Sequence, residues 1–321
     1  MEVHLPPMSA RTRWFVLSIA IPLLACGSRA HAGAWSLAPG EFYSEIRGGW
    51  FSSDGFHGAD GGRSFLAGGG LWEQRSLTSY TEFGWKPRMS VVIGIPVVSV
   101  SRRLDPPRPR PLMTQTGIGD GLLGLRYRLV NGRTAASIEL DWKMPLGYER
   151  DRFLSHADSV AAGDHNGDGD SLDANAARAL GSPVLGDGQQ DVTVSLALGT
   201  AVARGFAEAA GGYKYRFEEP TDQIVLSADL GLWLTRSLLL AGRYRGEMAA
   251  EGERPTDEPS QHLVGPLLVY RLENHMDLFA GSLHTVSAKN ALHTDEIQVG
   301  FAFRQTKLNR LQGFLGGSAA P

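Results

Sequence analysis

The chain has 321 residues, a formal net charge of −3 and a hydrophobic content of 42%. So small a net charge over this length argues against a polyanionic partner such as nucleic acid. A mean hydropathy of −0.15 is too polar for a bundle of membrane helices.

Met1–Ala32 reads as a secretory signal peptide, with Arg11 and Arg13 before the apolar run Trp14–Ala25 and the small-residue site Ala30-His31-Ala32. The run is too short to span a bilayer as a helix, which takes about 20 residues. Leu23-Leu24-Ala25-Cys26 also resembles a lipobox, but the polar stretch after the apolar run favours cleavage after Ala32. That cut removes Cys26, the one cysteine, and leaves no disulfide to form.

The mature chain reads as a succession of period-two segments, apolar on one face and polar on the other. In Asp191–Gly199 the apolar set is Val192, Val194, Leu196 and Leu198. The expected strands are Glu41–Phe51, Ser76–Trp85, Met89–Ser101, Gly119–Leu129, Thr134–Met144 and Gln190–Gly199. They continue with Phe206–Arg216, Asp222–Leu234, Ser237–Gly246, Gln261–Leu272, Met276–Val286 and Glu296–Arg304. Lys86-Pro87-Arg88, Val130–Arg133, Ala201–Gly205, Thr235-Arg236 and Glu273–His275 are tight turns. Between them fall the breaks Ser52–Arg75, Arg102–Ile118, Pro145–Gln189, Phe217–Thr221, Glu247–Ser260 and Ser287–Asp295, most of them much longer.

Short turns at one end and long loops at the other are the pattern of an antiparallel transmembrane β-barrel of about 12 strands in the bacterial outer membrane. The expected division is a signal peptide at 1–32, a barrel at 33–304 and a periplasmic tail at 305–321. Residue parity supports it. Phe83, Trp85, Tyr127, Tyr270, Phe301 and Phe303 gather at the periplasmic ends of the apolar faces. Trp50, Trp142, Tyr213, Tyr215 and Tyr244 gather at the outer ends, completing two aromatic girdles. The opposite parity carries Glu45, Arg47, Glu82, Arg126, Arg128, Glu139, Asp141, Lys143, Glu208, Lys214, Arg216, Asp229, Arg243, Arg245 and Arg271. A wet lumen accommodates both signs of charge, whereas the dry interior of a soluble sandwich does not.

Several segments resemble the bacterial outer-membrane family labelled MetA-pathway of phenol degradation. They are GAWSLAPGE, TSYTEFGWKPRMSVVIGIPVV, GIGDGLLGLRYRLV, DWKMPLGYERDRF, LGDGQQDVTVSLALG, AEAAGGYKYR and LGLWLTRSLLLAGRYRG. The resemblance implies a barrel and uptake of a hydrophobic or aromatic solute; it carries no site residues. The chain departs from the usual aromatic terminus of such barrels, because Arg304–Pro321 follows Phe303.

Some stretches carry candidate chemistry. Asp164, Asn166, Asp168 and Asp170, with a glycine at Gly169, match the opening of a calcium loop. The twelfth position is Asn175 instead of a bidentate glutamate, so the rival reading is a hydrophilic surface loop. Arg102, Arg103, Arg108 and Arg110 lie in a stiff proline-rich loop suited to lipopolysaccharide phosphates or to plain solvation. Glu139, Asp141 and Lys143 alternate opposite Arg126 and Arg128, which suits cross-strand pairing as well as a selectivity lining. His57, His156, His165 and His293 are scattered over loops without ligand spacing. His262 falls on the lipid-facing parity, where an outer-membrane lipase holds its base, but no nucleophile motif stands beside it.

The expectation is therefore a barrel without an enzyme site, passing a small solute through a narrow lumen. The alternatives are a closed surface platform and, less favoured, a lipid hydrolase. Its expected partners are membrane lipid, lipopolysaccharide, the barrel-assembly machinery and the solute.

Overall fold

The computed structural model describes residues 34–66, 70–103, 113–146, 185–186, 188–217, 221–250, 259–272 and 276–305. Residues 1–33, which include the expected signal peptide, the chain after Gln305 and most of Pro145–Gln189 lie outside them. The described chain is all strand. In order these are β1 (Phe42–His57), β2 (Arg63–Phe65), β3 (Leu71–Lys86), β4 (Met89–Arg103), β5 (Met113–Ile118), β6 (Asp120–Val130) and β7 (Thr134–Pro145). Then come β8 (Asp191–Val202), β9 (Gly205–Arg216), β10 (Gln223–Trp233), β11 (Leu238–Ala249), β12 (Ser260–Arg271), β13 (Met276–Lys289) and β14 (Ala291–Gln305).

Twelve of these form a closed antiparallel barrel. Neighbours in sequence are neighbours in the wall, and β1 pairs with β14 from Phe42↔Gln305 to His57↔Ala291. The other two strands are additions: β2 folds back onto the tip of β1, and β5 continues the line of β6 along the upper half of β4. Every expected wall strand is present to within a few residues at each end, apart from longer extensions at the outer ends of β1, β3 and β14.

Side-chain alternation sets the two surfaces. On β8, Val194, Leu196 and Leu198 stand about half exposed on the outside, while Ala197 between them is 1% exposed. Trp50, Trp85, Trp142, Tyr127, Tyr213, Tyr215, Tyr270 and Phe301 are likewise exposed outward. An apolar exterior flanked by aromatics is stable against hydrocarbon and costly against water.

Three of the expected breaks contain strand. Ser287–Asp295, read as a loop, is a tight hairpin: β13 runs to Lys289, β14 starts at Ala291, and Asn290 turns the chain with φ 49°. Asparagine tolerates that left-handed conformation better than most residues. The hairpin is tied by side chains, since Gln261 Nε2 donates to Thr285 Oγ1 (3.1 Å), Thr294 Oγ1 (2.8 Å) and the Leu292 carbonyl (2.9 Å). Ser52–Arg75 contains the outer third of β1 and of β3 with β2, and Arg102–Ile118 contains β5. Above the bilayer both faces meet water, so no apolar alternation marks these extensions in sequence.

Leu196 sits mid-strand on the outer face. Leu196→Arg should lower unfolding stability in lipid vesicles by about 2–4 kcal/mol, measured by urea titration. The folded wild type should migrate differently on gels before and after boiling.

Candidate functional site: the charged lumen and its N-terminal insert

The wall encloses a cavity of about 950 Å³ lined by charged side chains and by an apolar cluster around Trp35. It is built in layers by the inward positions of successive strands.

The periplasmic layer contains a feature that strand periodicity does not reveal. Residues 34–38 fold into the barrel ahead of β1. Ala34, Trp35, Ser36 and Leu37 are all buried. The backbone of the insert is bonded to lumen carboxylates: Ala34 N donates to Glu208 Oε1 (3.2 Å) and Leu37 N to Glu82 Oε1 (3.4 Å). Trp35 Nε1 donates to the Gly132 carbonyl (3.2 Å), in the short turn between β6 and β7. The indole packs with Ala135, Ala197, Ala201, Phe206 and Leu239. Room for it comes from small inward side chains on β7 and β8. A Cβ on Gly199 would lie 2.5 Å from the ring, and one on Gly84 would collide with the Ala38 carbonyl. That run of small residues, where other strands carry charge, was the available signal for an occupant. GAWSLAPGE had been legible only as a family resemblance.

The middle layer is a set of ion pairs. Arg126 of β6 reaches Glu82 of β3 (Nη1–Oε2, 2.8 Å) and Glu139 of β7 (Nε–Oε1, 3.3 Å). Ser90 of β4 donates to the other Glu82 oxygen at 2.6 Å. Across the lumen, Arg245 grips Asp229 with two hydrogen bonds of 2.7 and 2.9 Å. Arg243 approaches the same carboxylate (3.8 Å) and donates to Gln298 (3.1 Å). Two-pronged guanidinium–carboxylate pairs fix geometry as well as charge.

The outer layer holds Lys143, which pairs with Asp191 (2.6 Å), with Arg216 on that carboxylate's other oxygen (3.4 Å). Lys214 bonds Glu247 (2.8 Å) and Gln223 (3.1 Å). Asp141 stands opposite Gly124 in register and Arg128 opposite Ser137, so the ion pairs between β6 and β7 are Arg126 with Glu139 and Asp120 with Lys143 (3.8 Å). Of the twelve sequence-derived lumen positions, Arg126, Arg128, Glu139, Glu208, Asp229, Arg243 and Arg245 line the cavity.

The floor mixes apolar groups with charge: Arg128, the Arg271–Asp277 pair (3.2 Å) and the Arg304–Glu41 pair (3.3 Å) lie at the same end of the barrel. Phe206, Trp233, Leu239, Val269 and Phe279 line it beside Trp35. The guanidinium of Arg271 lies 4.5 Å above the Trp233 ring.

The remaining candidates separate. Asp164, Asn166, Asp168 and Asp170 fall outside the described residues, as do His156, His165, Arg108 and Arg110. Arg102 and Arg103 end β4. His262 bonds the Tyr244 hydroxyl through Nδ1 (2.7 Å), a phenol where a hydrolase would hold a carboxylate. His57 and His293 are not scattered: β1 and β14 bring them to 3.1 Å, Nε2 to Nδ1. Sequence separation hid a contact that only the closing strand pair creates.

Among solved structures the chain resembles the COG4313 outer membrane channel from Pseudomonas putida F1. The TM-score is 0.63 at 10% identity, covering 87% of this chain and 100% of that one. The protein is an outer-membrane β-barrel. The NanC porin (TM-score 0.47, 9% identity, 81% of this chain and 98% of that one) also matches, too loosely to carry an argument. The same holds for the translocator domain of autotransporter NalP from Neisseria meningitidis (0.44, 9%, 92% and 94%). No protein-family model matches the barrel, and no curated protein matches it. The likeness is one of fold.

Arg126 and Glu82 are largely buried, with side-chain exposures of 15% and 6%. Arg126→Met leaves Glu82 without its counter-ion and should cost about 3 kcal/mol of unfolding stability. Adding Glu82→Gln should recover part of that loss, which a double-mutant cycle by urea titration measures.

Proposed function

We propose that this barrel passes small solutes with an apolar or aromatic body across the outer membrane. One observation carries the reading: a closed wall surrounds a cavity of about 950 Å³ in which Phe206, Phe279 and Trp233 lie among paired charged side chains. Such a chamber favours an amphipathic guest, whose ring rests on Phe206, Phe279 and Trp233 while its polar end meets arginine or carboxylate. Twelve strands support the size. About eight strands fill with side chains and 16 to 18 leave an open channel, so this wall encloses a narrow path.

The insert is consistent with control of that path. Trp35 stands between the chamber and the periplasm, held by a few hydrogen bonds and one apolar cluster. Passage requires residues 34–38 to shift within the lumen while the wall stays intact. The likeness to a protein titled an outer membrane channel agrees with this, as does the resemblance of the sequence to the phenol-degradation family. Lipopolysaccharide around the outer rim and the barrel-assembly machinery are the proposed envelope partners, and calcium at Asp164–Asp170 is a proposed loop ligand.

The test is conductance of refolded protein in planar bilayers, paired with uptake of small aromatic solutes into liposomes. Low conductance and faster uptake of aromatics than of sugars of equal size are expected. Trp35→Ala should raise conductance severalfold. Absence of both conductance and uptake, in the wild type and in that variant, overturns the proposal.

A further inference from the structure

The outer ends of β1 and β14 carry the contact that remains unexplained by a channel. Trp50 of β1 pairs with Ile297 of β14 at the outer girdle. His293 lies four residues beyond Ile297, about 13 Å further along the strand at the usual rise per residue. It stands above the hydrocarbon, on the outward face. His57 comes from the last position of β1, just past the bulge between Ser52 and Gly55. The rings are 5.4 Å apart between centroids.

The hydrogen bonding determines which nitrogens carry lone pairs. His57 Nδ1 lies 3.0 Å from the Gly61 carbonyl, which only accepts, so Nδ1 carries the proton and Nε2 is bare. Nε2 faces His293 Nδ1 at 3.1 Å. In the metal-free pair, His293 Nδ1 carries its own proton and donates it to His57 Nε2. If His293 takes its other neutral tautomer, with the proton on Nε2, two lone pairs converge on one point without any change in net charge.

Two zinc–nitrogen bonds of about 2.0–2.1 Å at a tetrahedral angle put the nitrogens about 3.3 Å apart, close to the spacing observed. A carbonyl bonded to the distal nitrogen of a ligand histidine is the usual device for fixing its orientation. Gly61 supplies that here.

We propose that His57 and His293 form a surface site for a borderline transition-metal dication, of which zinc is the probe, with water completing the coordination. Imidazole nitrogen selects such ions over calcium or magnesium. The two nearby acids already have partners: Asp54 pairs with Arg63 (2.7 Å) and Asp295 with His284 (2.7 Å). Among the described residues there is no cluster of three ligand side chains, so the site is a two-histidine one. A bound ion would bridge the first and last wall strands, adding a metal clasp to the seam that closes the barrel. It would stabilise the folded form by mass action, because the unfolded chain holds the two residues far apart.

The experiment titrates zinc into tag-free, refolded protein in chelator-free detergent by calorimetry, with melting followed in parallel. One saturable zinc per barrel is expected, with a rise in melting temperature. His57→Ala and His293→Ala should each weaken binding by more than about a hundredfold, beyond the roughly 10–100-fold that loss of an orienting partner costs, and abolish the thermal shift. His284→Ala, also at the outer rim, should retain both. All three variants must keep the heat-dependent gel shift of a folded barrel; if one does not, glutamine at the same position replaces it. No saturable zinc, binding that survives both histidine substitutions, binding lost equally on His284→Ala, or competition by equimolar calcium overturns the proposal.

Discussion

In hydrocarbon there is no water to bond a peptide group, so a sheet can cross the membrane only by leaving no edge. The pairing of β1 with β14 is therefore the constraint on which everything else depends. It joins residues at opposite ends of the chain along the full length of both strands, from Phe42↔Gln305 to His57↔Ala291. Once the ring is closed, each side chain has one of two destinations. Outward positions meet lipid and carry Val194, Leu196, Leu230 and the aromatic girdles. Inward positions meet a confined aqueous space and carry the charge. The same closure places His57 beside His293, and the first strand beside an outer extension that neither terminus would form alone.

Confinement then shapes the interior. Charges held close together in a narrow lumen are stable only when paired, and the structure pairs them across three or four strands at once. Glu82, Arg126, Glu139 and Ser90 form one such knot, with Arg243, Arg245, Asp229 and Gln298 another. These knots brace the wall from within and narrow the path, while an apolar cluster holds Trp35. Glu82 belongs to both halves of this arrangement: one of its oxygens meets Arg126, and the other accepts from Ser90 and from Leu37 of the insert. Lining and plug are thereby linked through a single carboxylate.

Legibility in the sequence followed the solvent contrast. Where one face of a strand meets lipid and the other water, alternation is clean, and all twelve wall strands could be read together with the inward parity of Arg126, Glu139, Asp229 and Arg245. Where both faces meet water, the contrast vanishes. The outer thirds of β1 and β3, the strands β2 and β5, and the Asn290 hairpin were accordingly read as loops. The insert was hidden for a different reason. Its residues are apolar and precede the first strand, so no periodicity marks them. Their place in the lumen shows only as missing bulk at Gly84 and Gly199 on other strands.

By itself the sequence determined that odd and even side chains face different media, and from this followed the barrel, its strand number, its orientation and the charged lining. Each of those depends on residues a few positions apart, whose relation the backbone geometry dictates directly. Only the tertiary structure decided which charges meet, that residues 34–38 occupy the lumen, and that two histidines 236 positions apart share a hydrogen bond. Those outcomes depend on register and closure, which are settled by the sum of many strand pairings around the ring.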